Sequence, residues 1–286
     1  MSRRRFVFSV VTHNSANCVE RALAAITARL SDDDLLVVVD NGSRDGTARL
    51  VRDAAPHALL IEQENLGFGR ANNRAFAAAD SEFFVLINPD VVMDEVDLDR
   101  VARYFADHPE VIALVGDVRN KDGSRQYVNR RFPALDVLLL RRFELPLVRG
   151  LGIVKRRLSH HELGDVDLGK QQRVQCGTGS FQFIRRSAIV EDFLFDPRFF
   201  LYFEDIDLSR RLWTRGETHY VPWLVVTHGW GRASYRSWRS TWRHAWSALQ
   251  YLAKWKSFAP RDHVMPTRPE PGTDQTGAAG SGPRPD

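Results

Sequence analysis

The chain has 286 residues, 43% of them hydrophobic and 27% charged, which suits one large α/β domain or two smaller ones sharing a core. Its net charge of +4 is a local excess, so where the basic residues lie says more than their number. Two cysteines, Cys18 and Cys176, exclude a disulfide framework, and no window approaches ~18 uncharged apolar residues, which excludes an evident transmembrane helix. A cytosolic setting fits.

Met1-Ser2-Arg3-Arg4-Arg5 imitates the basic start of a signal peptide, but the apolar run Phe6 to Val11 is too short for a secretory core. It reads as a first buried strand. Apolar runs predict strands at 6–12, 35–40, 57–62, 82–88 and 110–115, and helical patterns lie near 17–30, 46–55, 69–80 and 94–107. Asn17 and Glu20 have the spacing of a capping box. This alternation predicts right-handed βαβ units in a doubly wound sheet, whose carboxyl strand ends line one ligand crevice.

From about 116 the alternation stops. Asp117 to Pro133 is polar and turn-rich, with Asp122-Gly123 resembling a hairpin turn between short strands. Val174 to Ile184 reads as a strand interrupted by Gly177 and Gly179, a helix follows Glu204 and ends near Gly216, and 218–228 return to strand character. Residues 230–258 hold five of the seven tryptophans, six lysines or arginines and no acidic residue. After Pro260 the chain turns rich in Pro, Gly and Thr and is expected to be disordered.

Acidic and polar stops stand where apolar strands end. Asp40, after Val37-Val38-Val39, is placed to accept the ring N–H of a pyrimidine base; a turn before a helix cap at Asp45-Gly46-Thr47 accounts for it equally. Asn65-Leu66-Gly67-Phe68-Gly69-Arg70 is a glycine-containing loop entering a helix, where backbone amides and Arg70 would attract phosphate, although ordinary loop glycines look the same. Asp90, in Asn88-Pro89-Asp90, is a candidate ligand for Mg²⁺ or Mn²⁺, and Asn88 for a ribose hydroxyl; Asn-Pro also initiates turns. Glu204-Asp205-Ile206-Asp207 opens a helix, which acidic residues favour without any function. Asp207 has the spacing of a surface ion pair with Arg211 and Glu204 that of a cap or supporting group, which leaves Asp205 as the candidate general base. His228 becomes a metal-ligand candidate only if its strand returns beside Asp90.

Together these stretches resemble family 2 glycosyltransferases of the GT-A fold, a mixed doubly wound sheet flanked by helices. The likeness is greatest to bacterial rhamnosyltransferases of O-antigen and cell-wall polysaccharide assembly. It is carried by Val10-Val11-Thr12-His13-Asn14-Ser15, Val39-Asp40-Asn41-Gly42-Ser43, Asn65 through Asn73, Leu86-Ile87-Asn88-Pro89-Asp90-Val91, Gly177-Thr178-Gly179-Ser180-Phe181, Phe200 through Leu208 and His228-Gly229, in the family's order over residues 6–230. The resemblance implies that Thr12, Asn14 and Asp40 hold the nucleoside and that Asn65, Gly67, Arg70 and Asn72 line the nucleotide site. It makes Asp90 the metal-binding carboxylate, His228 a second ligand and Asp205 the catalytic base, with Gly179, Glu204 and Trp230 either near the acceptor or supporting the residues that are. Asn88 departs from the Asp-x-Asp of many relatives, and the Gln-x-x-Arg-Trp of processive synthases is missing.

The expectation is an inverting transfer of a sugar, L-rhamnose from dTDP-rhamnose, to a lipid-linked or polysaccharide acceptor with Mg²⁺ or Mn²⁺. A UDP- or GDP-hexose donor, or a non-catalytic nucleotide-sugar-binding scaffold, are the alternatives. Residues 1–115 would bind the donor, 116–230 the acceptor, 231–260 would form a basic amphipathic helix and 261–286 a tail. Trp238, Trp242 and Trp246 recur every four residues beside Arg239 and Arg243, which suits anionic lipid at the inner face of the cell membrane; packing on the domain is the other reading. Nucleic-acid binding is disfavoured, because that signal is confined to one terminal helix.

Overall fold

The computed structural model describes residues 3–93, 95–143, 151–229 and 238–260. Four strands, β1 (Arg4–Thr12), β2 (Leu35–Asn41), β3 (Leu59–Gln63) and β4 (Ser81–Ile87), lie parallel in the order β3-β2-β1-β4. They are linked by α1 (Val19–Thr27), α2 (Thr47–Ala54) and α3 (Phe68–Ala78). The chain winds outward from β1 through β2 to β3, then returns to place β4 on the other side of β1. That reversal is the switch point at which open α/β sheets bind ligands.

Alternation along the strands explains the layers. Phe6, Phe8 and Val10 pack with Leu23 and Ile26 of α1 and Val51 of α2, whereas Val7 and Val11 pack with Ala71, Ala75 and Phe76 of α3. A fully buried phenylalanine contributes about 1.5–3 kcal/mol, and a one-residue slip would carry every such side chain to the wrong face.

The sheet continues β4-β8-β6-β9-β5 and becomes mixed. Its further members are β5 (Val91–Val92), β6 (Val111–Arg119), β7 (Gln172–Val174), β8 (Phe181–Arg185) and β9 (Glu217–His228). β8 runs antiparallel to β4 and β6, β9 runs parallel to β6, and β5 and β7 both pair antiparallel with β9. The remaining helices are α4 (Leu98–Asp107), α5 (Leu135–Phe143), α6 (Gly152–His161), α7 (Glu204–Trp213) and α8 (Trp238–Trp255). Among the described residues no helix is long and apolar enough to cross a membrane.

Several local expectations are corrected. α1 starts at Val19 with Cys18 as its cap and no side-chain cap bond, so Asn17 and Glu20 form no capping box. β3 is an edge strand and half exposed, because among the described residues only β2 pairs with it. Val174 to Ile184 is not one strand: it runs from the last residue of β7 through a loop at 175–180 into β8. Around Asp122-Gly123 a turn follows the end of β6, closed by the Asn120 N–H donating to the Ser124 carbonyl at 2.8 Å, and a single bridge between Arg119 and Arg125 stands in place of a second strand. The tail after residue 260 and Trp230 lie outside the described residues, as do the side chains of Trp238 and Arg239.

Candidate active site

Register brings the ends of three strands together. Thr12 pairs with Asp40 across β1 and β2, and Val10 pairs with Ile87 across β1 and β4, so Asn88-Pro89-Asp90 emerges on the other flank of the same crevice. Thr12 donates its hydroxyl to Asp40 Oδ1 at 2.8 Å, and the Ser43 N–H donates to Asp40 Oδ2 at 3.1 Å. Each carboxylate oxygen keeps a lone pair for a ligand donor. Asn14 accepts from the Arg44 N–H at 2.9 Å and donates its own N–H to Ser43 Oγ at 2.9 Å, so it shapes the loop after Asp40.

Asn41, which the motif contained but to which no role was given, is the hub of the glycine loop. Its Oδ1 accepts from the Leu66 N–H and from Gln63 Nε2, both at 3.0 Å, and its Nδ2 donates to Asn65 Oδ1 at 3.1 Å and the Gly67 carbonyl at 3.3 Å. Gly67 adopts φ +91°, and a Cβ there would meet the Phe200 carbonyl at 2.3 Å. The loop is thereby held on the segment leading to α7, with the Phe68 N–H donating to Phe200 O at 3.1 Å.

Two further candidates also make contacts within the fold. Arg70 donates its Nε to the Pro197 carbonyl at 2.9 Å. Asn72 is buried and accepts from the Ser9 hydroxyl at 2.7 Å while donating to Phe68 O at 3.1 Å, so it fastens α3 to β1.

β5 brings the next pair together. Val91 pairs with His228 at the end of β9, the Gly229 N–H donates to the Asp90 carbonyl at 2.8 Å, and Asp90 Oδ1 stands 3.2 Å from His228 Nε2. Asn88 serves the turn through its backbone, donating to Ser180 O at 2.8 Å and accepting from the Val91 N–H at 3.1 Å. Among the described residues no three His, Cys, Asp or Glu gather as a metal cluster. Two converging ligands, one oxygen and one imidazole nitrogen, nevertheless fit Mg²⁺ or Mn²⁺, which commonly complete their shells with phosphate and water.

The base candidate stands at the start of α7. Tyr202 and Phe203 take φ values of +70° and +66°, a local strain of order 1–3 kcal/mol each that turns the chain into Glu204-Asp205. Burial pushes the Asp205 carboxyl above its ordinary range, and the charge of Arg130 opposes that shift. Glu204 is 7% exposed, with Oε2 buried and without a partner among the described residues, and burial, then the Asp205 charge, pushes its carboxyl up to about 8. A Cβ on Gly179 would lie 3.7 Å from the Asp205 Cβ and 3.2 Å from the Phe68 ring, so the absence of a side chain keeps the glycine loop and the carboxyl close. Arg130 was not singled out from the sequence because nothing in its polar stretch signals a return to α7.

α8 has two unlike faces. One face docks: the Ser247 hydroxyl donates to Leu201 O at 2.9 Å, and Tyr251 packs at a tilt on Phe203 with ring centres 5.5 Å apart. The other face presents Trp242 at 66% exposure and Trp246 at 54%, with Arg243 lying over Phe200.

The sheet order and flanking helices recur in solved glycosyltransferases. The Pyrobaculum calidifontis mannosyltransferase PcManGT, in complex with GDP-Man and Mn²⁺, matches with a TM-score of 0.58 and 22% identity over 89% of this chain and 64% of that one. S. aureus TarS 1-349 in complex with UDP matches with a TM-score of 0.54 and 14% identity, over 79% and 61% respectively. The chain spans less than two thirds of either structure, and these likenesses establish the GT-A glycosyltransferase fold.

Residues 8–193 match Glycosyl transferase family 2, and the chain belongs to that family. Relatives include N-acetylglucosaminyl-diphospho-decaprenol L-rhamnosyltransferase of Mycobacterium tuberculosis, 29% identical over 76% of this chain and 74% of the relative. Rhamnosyltransferase WbbL of Escherichia coli is 26% identical over 86% and 91%. The chain is a glycosyltransferase.

Proposed function

We propose that this glycosyltransferase transfers L-rhamnose from dTDP-rhamnose, with inversion and with Mg²⁺ or Mn²⁺, to a glycan carried on a membrane lipid. The observation that carries the reading is the approach of His228 Nε2 to Asp90 Oδ1 at 3.2 Å from positions 138 residues apart (228 less 90). Two rhamnosyltransferases among the relatives support the sugar, and the name of one supports a diphospho-lipid acceptor. In this reading residues 1–115 bind the donor through Thr12, Asn14, Asp40, Asn65 and Gly67. Residues 116–230 supply the base and the acceptor surface.

Asp205 takes the proton of the acceptor hydroxyl as that oxygen bonds to the anomeric carbon, and the bond from that carbon to the diphosphate oxygen breaks. A divalent ion held by Asp90 and His228 would neutralise charge on the departing nucleoside diphosphate. The exposed face of α8, with Trp242, Trp246 and Arg243, would rest on anionic lipid.

Thermal stabilisation by dTDP, UDP and GDP, each with and without Mn²⁺, tests the reading. The expected result is a Mn²⁺-dependent shift that is largest with dTDP; saturation at 100-fold Kd is worth about 2.7 kcal/mol. A larger shift with UDP or GDP removes the rhamnose assignment, and no shift with any removes the nucleotide site. Flotation with phosphatidylglycerol vesicles tests α8: Trp242→Ala with Trp246→Ala is expected to abolish binding, and unchanged flotation removes the membrane role.

A further inference from the structure

Gln126 lies outside every motif described above, yet it closes a directional chain of hydrogen bonds that ends on His228. The chain starts at Asp122, whose carboxylate only accepts. The Ser124 hydroxyl donates to Asp122 Oδ1 at 2.6 Å, and Asn120 Nδ2 donates to Ser124 Oγ at 2.8 Å. That fixes the Asn120 amide, whose Oδ1 accepts from Gln126 Nε2 at 2.7 Å. The second proton on Gln126 Nε2 goes to the His228 carbonyl at 3.0 Å. Both amide protons of Gln126 are thereby used, and its Oε1 faces His228 Nδ1 at 2.9 Å. Only a protonated Nδ1 can donate to it.

A neutral imidazole protonated at Nδ1 has a bare lone pair on Nε2. That lone pair faces Asp90 Oδ1 at 3.2 Å. Two acceptors at that distance repel one another unless something positive lies between them. We infer that Gln126 is a positioning residue that locks His228 in the Nδ1–H tautomer, so that Nε2 and the Asp90 carboxylate converge on one seat for a divalent cation. The inference rests on the metal role proposed for Asp90 and His228. It also gives the turn at residues 120–124 a purpose, since the turn sets the polarity of the whole chain. Gln126 and His228 are both buried, so water does not compete for the bond between them.

The test has two readouts on the full chain. First, nitrogen-resolved NMR of the His228 ring is recorded without metal at alkaline pH. Wild type is expected to show Nδ1 protonated and Nε2 bare. Gln126→Leu, which removes the acceptor facing Nδ1, is expected to populate the other tautomer. Second, Mn²⁺ binding in the presence of dTDP is followed by electron paramagnetic resonance. Gln126→Leu is expected to weaken it about 10–100-fold, the usual effect of removing an outer-shell partner. Cooperative melting of each variant confirms folding.

Wild-type His228 protonated at Nε2 would overturn the inference. So would unchanged Mn²⁺ affinity in a folded Gln126→Leu protein whose binding is lost on Asp90→Ala, and that result would leave the metal role standing. Failure of wild type to bind Mn²⁺ at all would instead overturn the metal role and, with it, the cation seat inferred here.

Discussion

The indole N–H of Trp255 donates to Asp207 Oδ1 at 2.7 Å, tying α8 to the helix that carries the candidate base. Asp207 is completely buried and also receives Lys254 at 2.7 Å and Arg211 Nε at 3.1 Å. The sequence spacing suggested a surface ion pair with Arg211; burial by α8 makes it an interior junction. Removing one partner of a buried charge cluster typically costs about 3–5 kcal/mol, because the others are left uncompensated. Asp207→Ala is therefore expected to lower Tm by roughly 10 °C. It should also expose the α8 segment to trypsin. A melt within a degree of wild type would contradict the docking of α8.

Glu204 gives a pH-dependent term in stability. Its carboxyl is pushed from 4.5 up to about 8, chiefly by burial. The folded state binds this proton more tightly than the unfolded chain does. Its contribution is therefore complete below about pH 4.5 and is lost as pH rises through about 8. Glu204→Gln keeps the shape without the titration. The variant is expected to show a flatter profile between about pH 4.5 and 8, gaining Tm over wild type as pH rises through that window. Parallel pH profiles for the two proteins would remove the burial argument.

Much of this was legible because strand periodicity and motif order survive in a single sequence. The first four strands appear within two or three residues of their predicted bounds, and Asp40, Asp90, Asp205 and His228 stand at element ends, as read. What sequence could not show was the partners of polar side chains. Asn72 and Arg70 sit in a glycine-rich motif that suggests phosphate, yet Asn72 Oδ1 accepts from Ser9 and Arg70 Nε donates to Pro197, partners 63 and 127 residues away. Gln126 and Arg130 lie in a turn-rich stretch with no periodicity, and only the return of β9 and α7 gives them a role. The capping box failed for a related reason: Asn17 and Glu20 have the right spacing, but the chain enters α1 through a turn at Ser15 to Cys18.

Gly67 and Gly46 separate strain from contact. Both have positive φ, +91° and +87°, but a Cβ on Gly67 would strike the Phe200 carbonyl, whereas one on Gly46 would meet nothing within 4 Å. Gly46→Ala is expected to cost only the dihedral strain, about 1 kcal/mol. Gly67→Ala should cost more, about 2–4 kcal/mol, and should displace the loop built on Asn41, weakening nucleotide binding as well. Melting curves and a nucleotide titration on both variants check this. Equal effects from the two substitutions would mean that the contact with Phe200 contributes nothing.

Asp205 and Arg130 make a prediction about the pH dependence of transfer. A base works only when deprotonated, and burial raises the Asp205 carboxyl while Arg130 holds it down. Asp205→Asn is expected to reduce transfer by about 10²–10⁴-fold with nucleotide affinity intact. Arg130→Met removes the opposing positive charge, so Asp205 should hold its proton to higher pH and the acidic limb of the rate profile should move upward. Arg130→Lys keeps the charge and should leave the limb close to its wild-type position. Initial rates from pH 5 to 9 with all three variants decide the matter: an unmoved limb in Arg130→Met would mean that the ionisation limiting the rate belongs to a group other than Asp205.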